Sequence, residues 1–171
     1  MHVLQDAGRI ALAKALAALP AHFAWGRGDG AWVNPPATPS NRNALMDEIC
    51  RRQCEIVGFV VPGTAANYEI QVPRTANPQA PEDYDYYNRS AVPTPWLYLK
   101  ATFGFGDATG ETVREAAVFF DSRAKAEVPP GQRLLWPQDI EAPGFMYCMR
   151  FRVAKIRDGA SKPIEEMVIP L

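Results

Sequence analysis

Residues Pro93 to Phe120 read PTPWLYLKATFGFGDATGETVREAAVFF, and the fold class follows from this stretch. Leu97, Leu99, Ala101, Phe103 and Phe105 alternate with Trp96, Tyr98, Lys100, Thr102 and Gly104. That period of two marks a β-strand with one buried face. Gly106-Asp107-Ala108-Thr109-Gly110 is turn chemistry, with glycines where positive φ is needed. In the following strand Val113, Glu115, Ala117 and Phe119 share one face, and Arg114, Ala116, Val118 and Phe120 the other. Apolar residues on both faces place this second strand inside a sheet or beneath a covering helix. The two strands are expected to form a hairpin.

The totals agree with a strand-rich chain. At 171 residues one domain is expected, able to bury roughly 70% of its unfolded surface without metal or disulfide. Sixteen prolines and twelve glycines imply many turns and argue against a helical bundle. Eighteen basic and nineteen acidic residues are interspersed, leaving a formal charge of −1 and no footprint for nucleic acid or an anionic membrane. No apolar run approaches the ~18 residues of a membrane span, and Asp6, Arg9 and Lys14 interrupt what could pass for a signal peptide.

Outward from the central stretch, Asp6 is expected to cap an N-terminal helix within residues 1–20, with Leu12, Leu16 and Leu19 on one side and Pro20 as its stop. Such an alanine-rich helix is marginal alone and needs a sheet or another subunit to dock on. Residues 24–40 are Gly- and Pro-rich loop, in which Trp25 and Trp32 are expected to anchor the loop or meet a partner. Residues 43–52 suggest a short helical turn. A β-rich core is expected over 54–171, beginning with the strand 54–61 and interrupted by an exposed excursion over 63–92. The excursion carries Tyr84, Tyr86 and Tyr87, a residue type suited to contact surfaces. A last hairpin joins the alternating strand Phe145–Ala154 to Ile164–Leu171 through Asp158-Gly159. The expected class is therefore mainly β: an antiparallel sandwich of six to eight short strands with one N-terminal helix and long Pro/Gly-rich loops.

Chemistry-bearing patterns are sparse. Cys50, Cys54 and Cys148 are odd in number, form no CxxC and read as reduced thiols. Arg27-Gly28-Asp29 and the neighbouring glycines lack the strand-before, helix-after setting of a dinucleotide loop. Glu82, Asp83 and Asp85 lack the spacing of a calcium loop. No serine sits in G-x-S-x-G, and only His2 and His22 are available as imidazole bases. No catalytic set, metal or cofactor is expected. Glu115 reads as half of a buried or edge ion pair, and Glu48 with Arg114 is a candidate structural pair between two segments.

Leu4-Gln5-Asp6-Ala7-Gly8 before an Ala/Leu helix, Gly28-Asp29-Gly30, Ala44-Leu45-Met46-Asp47-Glu48 with Arg51, and Thr112-Val113-Arg114-Glu115-Ala116-Ala117-Val118-Phe119 occur in one order. That order resembles the N-terminal attachment module of tail-fibre and collar-fibre proteins of contractile-tailed bacteriophages, with an N-A-G-like start and an I-R-E-I-G-L-F-like strand. The resemblance implies a structural, non-enzymatic subunit of the virion tail baseplate, made in the host cytoplasm. Its implied partners are other baseplate or tail-fibre proteins, with a homo-oligomer possible and neither nucleic acid nor membrane involved. The long excursion, and an end at Leu171 with no repetitive shaft, point to a stand-alone adaptor or wedge component rather than a fibre. The alternative from a different class is a β-sandwich ligand- or carbohydrate-binding module or small hydrolase, using Trp32, Trp96 or Trp136 for stacking.

Overall fold

The computed structural model describes residues 2–74 and 78–171. It is mostly antiparallel β with one N-terminal α-helix and long loops, the class expected from the sequence. The chain forms two compact units: residues 1–19, 56–100 and 166–171 make the first, and residues 20–55 and 101–165 the second.

In the first unit, α1 (Asp6–Ala17) carries Asp6 in its first turn and Lys14 in its last, each sign matched to the end of the helix dipole it faces. Asp6 does not cap. Gln5 holds the N-cap position and makes no side-chain cap bond there. Strands β3 (Ile56–Pro62), β4 (Ile70–Pro73) and β5 (Tyr84–Arg89), with β6 (Trp96–Thr102) and β12 (Ile164–Pro170), form a sheet in the order β12-β6-β3-β5-β4. Val60, Ile70, Val72, Tyr87 and Tyr98 make its apolar cluster, with Ile56, Trp96 and Val168 packed against them. The expected excursion is thus largely built into the sheet. Ile70 pairs with Tyr87 and Val72 with Asp85, and β5 continues onto β3 with Val60 opposite Arg89. The strand is hard to read from sequence because Tyr-Asp-Tyr-Tyr-Asn-Arg is polar in composition and only Tyr87 is buried in the core. Residues 75–77 of the excursion lie outside the described residues.

The second unit holds the sheet β11-β7-β1-β2-β9, from β1 (Ala21–Gly26), β2 (Glu48–Gln53), β7 (Thr112–Phe120), β9 (Leu134–Leu135) and β11 (Phe145–Ile156). A small ladder joins β8 (Arg123–Ala124) to β10 (Ile140–Ala142). β7 is interior, as its two apolar faces require, with Ala117 opposite Ala24 on one side and Met149 on the other. Ala24, Leu45, Ala117 and Phe119 form a core cluster, with Met146 and Met149 against it.

Three expectations are corrected here. β6 and β7 exist where alternation placed them, but they belong to different sheets and form no hairpin; the same holds for β11 and β12. Period two marks which face is buried and does not say which strand lies alongside, so alternation in sequence neighbours does not make them a hairpin. Residues 21–26 are the central strand, not loop, and all six are buried. A strand covered on both faces shows no alternation for sequence reading to find. Residues 48–53 are likewise a strand rather than a helical turn. In that strand Arg51 is only 3% exposed, and its guanidinium lies 3.6 Å from the centre of the Phe119 ring.

Candidate functional site

A dense set of hydrogen bonds and ion pairs in the second unit surrounds the neck of a long loop. β1 ends at Gly26 and β2 begins at Glu48, so residues 27–47 form a connection far longer than the common two to six residues. Its two ends are clamped together. The Arg27 N–H donates to Asp47 O at 2.8 Å, and the Arg27 guanidinium grips both oxygens of Glu111 at 2.7 Å and Asp47 Oδ1 at 2.9 Å. This fork-on-fork contact is the geometry that favours arginine over lysine. It holds the Glu111 carboxyl below the usual carboxylate range and raises the Arg27 pKa in turn.

Beneath the clamp sits Glu115, from the middle of β7 and fully buried. Its carboxylate accepts the Met46 N–H at 3.0 Å and the Asp47 N–H at 3.5 Å, and Arg42 Nη1 lies 3.7 Å away. A buried carboxylate persists only when its lone pairs are used, and here backbone donors of the returning loop use them. The expected buried role of Glu115 is what the structure shows, with Arg42 as the cation nearby. Gly28 has φ +60, and a Cβ there would lie 2.8 Å from the Trp32 ring. The neck therefore requires glycine on both conformational and steric grounds.

A second buried cluster fixes the strands that carry the neck. The Trp25 ring stacks on Phe103 with centroids 3.5 Å apart, and its Nε1–H donates to Glu165 Oε1 at 2.8 Å. Arg150 and Arg152 close on the same carboxylate at 3.0 and 2.5 Å. Burial alone would raise the Glu165 pKa, but the two guanidiniums outweigh it and hold the carboxyl below its ordinary value. Arg157, 2% exposed, donates to the carbonyls of Gly104, Asp107 and Ser161 and lies 5.5 Å over the Trp25 ring.

Of the five candidate contact residues, Trp25 and Tyr87 are buried within the chain. Trp25 is 1% exposed and serves the core, so it offers no surface to a partner. Trp32 is half-buried, its ring tilted against Phe151 at 4.5 Å. Tyr87 is buried in the first unit's apolar cluster and stands 6.0 Å from the Trp96 ring. Tyr84 and Tyr86 are half-buried; the Tyr86 ring meets Tyr68 at 4.8 Å and its O–H donates to Pro81 O.

Glu48 and Arg114 are not paired. Glu48 binds Arg51 through both carboxylate oxygens at 2.7 and 2.9 Å, while Arg114 Nη1 donates to Arg27 O. The reason is the strand order: β1 lies between β2 and β7, so two strand spacings, about 9.6 Å, separate their backbones. The Arg27, Arg42, Asp47 and Glu111 roles escaped sequence reading, because ion pairs between residues 20 to 84 positions apart leave no local pattern. The signal in the sequence was a long loop, glycine-rich at its start, carrying charges at both ends and none between Asp29 and Arg42.

This arrangement fastens the two ends of the loop to the sheet. Glu111, Glu115 and Glu165 are each engaged by arginine or backbone donors. Among the described residues no group of three or more His, Cys, Asp and Glu is placed to hold a metal ion, and no helix is long and apolar enough to cross a membrane. Burial lowers the His22 pKa to about 4, with Arg51 adding to the effect, and pushes Cys50 and Cys54 up to about 12.

The family model for the baseplate wedge 3 tail fiber network component matches residues 1–171, and the chain belongs to that family. It is thus a component of a phage baseplate, in the virion tail. No curated protein matches the chain.

Proposed function

We propose that this subunit joins baseplate wedge proteins to tail fibres, or to one another, and does so without catalysis. The observation that carries the reading is the family match over the whole chain, residues 1–171. The geometry supports it, because the carboxylates best placed for acid–base chemistry are committed to arginines and loop amides. A general base needs a proton within reach and a free lone pair. Interfaces rather than a cleft are then the working parts, and the partners are other baseplate or fibre proteins, with self-association among them. Synthesis in the host cytoplasm precedes incorporation into the tail.

The test is quantitative mass spectrometry on gradient-purified particles, with tails from a phage lacking the gene alongside. The reading expects a fixed small-integer ratio of this chain to the wedge proteins, and gene-null particles depleted of fibres or of wedge components. Recovery of the chain only from the soluble lysate, or gene-null tails of unchanged composition, would overturn it.

A further inference from the structure

The clamped neck poses a question that the linking role leaves open: what the loop is held out for. Residues 27–47 leave and rejoin the sheet at adjacent strands, their ends tied together by Arg27, Asp47, Glu111 and Glu115. Trp32 is folded back onto Phe151, so the loop's large aromatic is used internally as a prop. What projects beyond it is Val33-Asn34-Pro35-Pro36-Ala37-Thr38-Pro39, without regular secondary structure. Val33 is 89% exposed, the highest value among the exposed large apolar side chains of the described residues. The tip touches the sheet through the Phe151 N–H, which donates to Thr38 Oγ1 at 3.3 Å.

We propose that residues 33–39 are a docking element received by an uncharged, aromatic-lined groove on a neighbouring baseplate or fibre subunit. This inference rests on the linking role proposed above and assigns it a contact. Three features identify the partner's chemistry. Pro36-Ala37-Thr38-Pro39 has the spacing of a polyproline II ligand, whose rings dock between aromatic side chains. No charged side chain lies between Asp29 and Arg42, so neither an acidic nor a basic surface gains by receiving the tip. Prolines and a clamped neck leave little conformational freedom to lose on binding, which is how a short apolar segment reaches useful affinity. The buried Glu115 gains a purpose in this account: it fixes the base so that the tip is presented in one direction.

The experiment uses full-length chain carrying benzoylphenylalanine in place of Val33, supplied to a phage lacking the gene, with the same probe in place of Val92 as control. Val92 is 66% exposed and lies in the first unit. Purified particles are irradiated and the crosslinked peptides sequenced. The expected result is a crosslink from position 33, absent from position 92, to one baseplate or fibre protein, at a peptide containing Trp, Tyr or Phe and carrying no charge cluster. A chain incorporated normally but crosslinked at position 33 to nothing, or to a strongly charged segment, would overturn the inference and leave the linking role standing. Absence of the unmodified chain from particles would instead overturn the linking role. As a second readout, a Val33→Ser, Pro36→Ser, Pro39→Ser variant should be incorporated at least tenfold less than wild type in direct competition, with an unchanged melting curve. Equal incorporation would overturn the inference.

Discussion

Replacing Glu165 by glutamine tests the charge cluster that ties β11 to the central strand. The substitution keeps the volume of a side chain that is 3% exposed, so no cavity opens and the effect isolates the charge. Three donors lose their anion: Trp25 Nε1, Arg150 and Arg152. Arg150 is 57% exposed and is rehydrated at little cost. Arg152 is 20% exposed, has a buried Nε with no hydrogen-bond partner, and would be left as an uncompensated cation. Breaking a buried pair by removing one partner costs about 3–5 kcal/mol, and the amide oxygen can still accept from one donor, so the low end applies. For a chain of this size about 3 kcal/mol lowers Tm by roughly 6–12 °C.

The assay is thermal and urea unfolding of Glu165→Gln, Arg152→Met and the double variant. Each single change should cost about 3 kcal/mol, and the double should fall short of their sum by at least about 1.5 kcal/mol, because the second change removes what the first left unpaired. Additive costs, or a Glu165→Gln Tm within about 2 °C of wild type, would refute the reasoning. The acid limb supplies a further check. The folded-state pKa of Glu165 is depressed, so its stabilisation is present above the unfolded value near 4.3 and is lost as pH falls through the folded one. Glu165→Gln should flatten that limb.

Other expectations follow from the same contacts. His22 is buried and neutral, with its pKa lowered from 6.5 to about 4; stability is full above pH 6.5 and declines toward pH 4 by roughly 2–3 kcal/mol, a slope that urea titrations should find reduced in His22→Gln. Gly144→Ala would place a Cβ 2.0 Å from Phe120 O at a φ of +66, a backbone clash that no rotamer relieves, and should cost more than about 3 kcal/mol in urea unfolding. Gly28→Ala meets the Trp32 ring at 2.8 Å, a side chain that can shift, and should cost about 1–3 kcal/mol, read in the same titrations. Cys50 and Cys54, pushed up to about 12 by burial, and Cys148, raised for the same reason, should react with a maleimide at pH 7.5 far more slowly than in urea-unfolded protein.

Strand identity around the central stretch was legible because a half-buried strand writes its burial into alternate residues, as at Leu97, Leu99 and Ala101, all 0% exposed. The Gly/Pro loops were equally visible, since turn chemistry is local. Even the family followed from motifs in series. Partner choice was not legible. Alternation at Trp96–Thr102 and Thr112–Phe120 says that each strand has a covered face, and is silent on which strand lies beside it. β1 was hidden because full burial erases alternation, and β2 because Arg51 reads as solvent-facing until Glu48, Ser122 and Pro143 surround it. The loop's fastening lay furthest from view: Arg27 meets Glu111, and Met46 meets Glu115, only once β1 has been laid between β2 and β7. Local propensity and burial pattern are properties of a few consecutive residues, so the sequence by itself determines them. Ion pairing and strand order depend on distances between remote segments, which exist only in the folded chain.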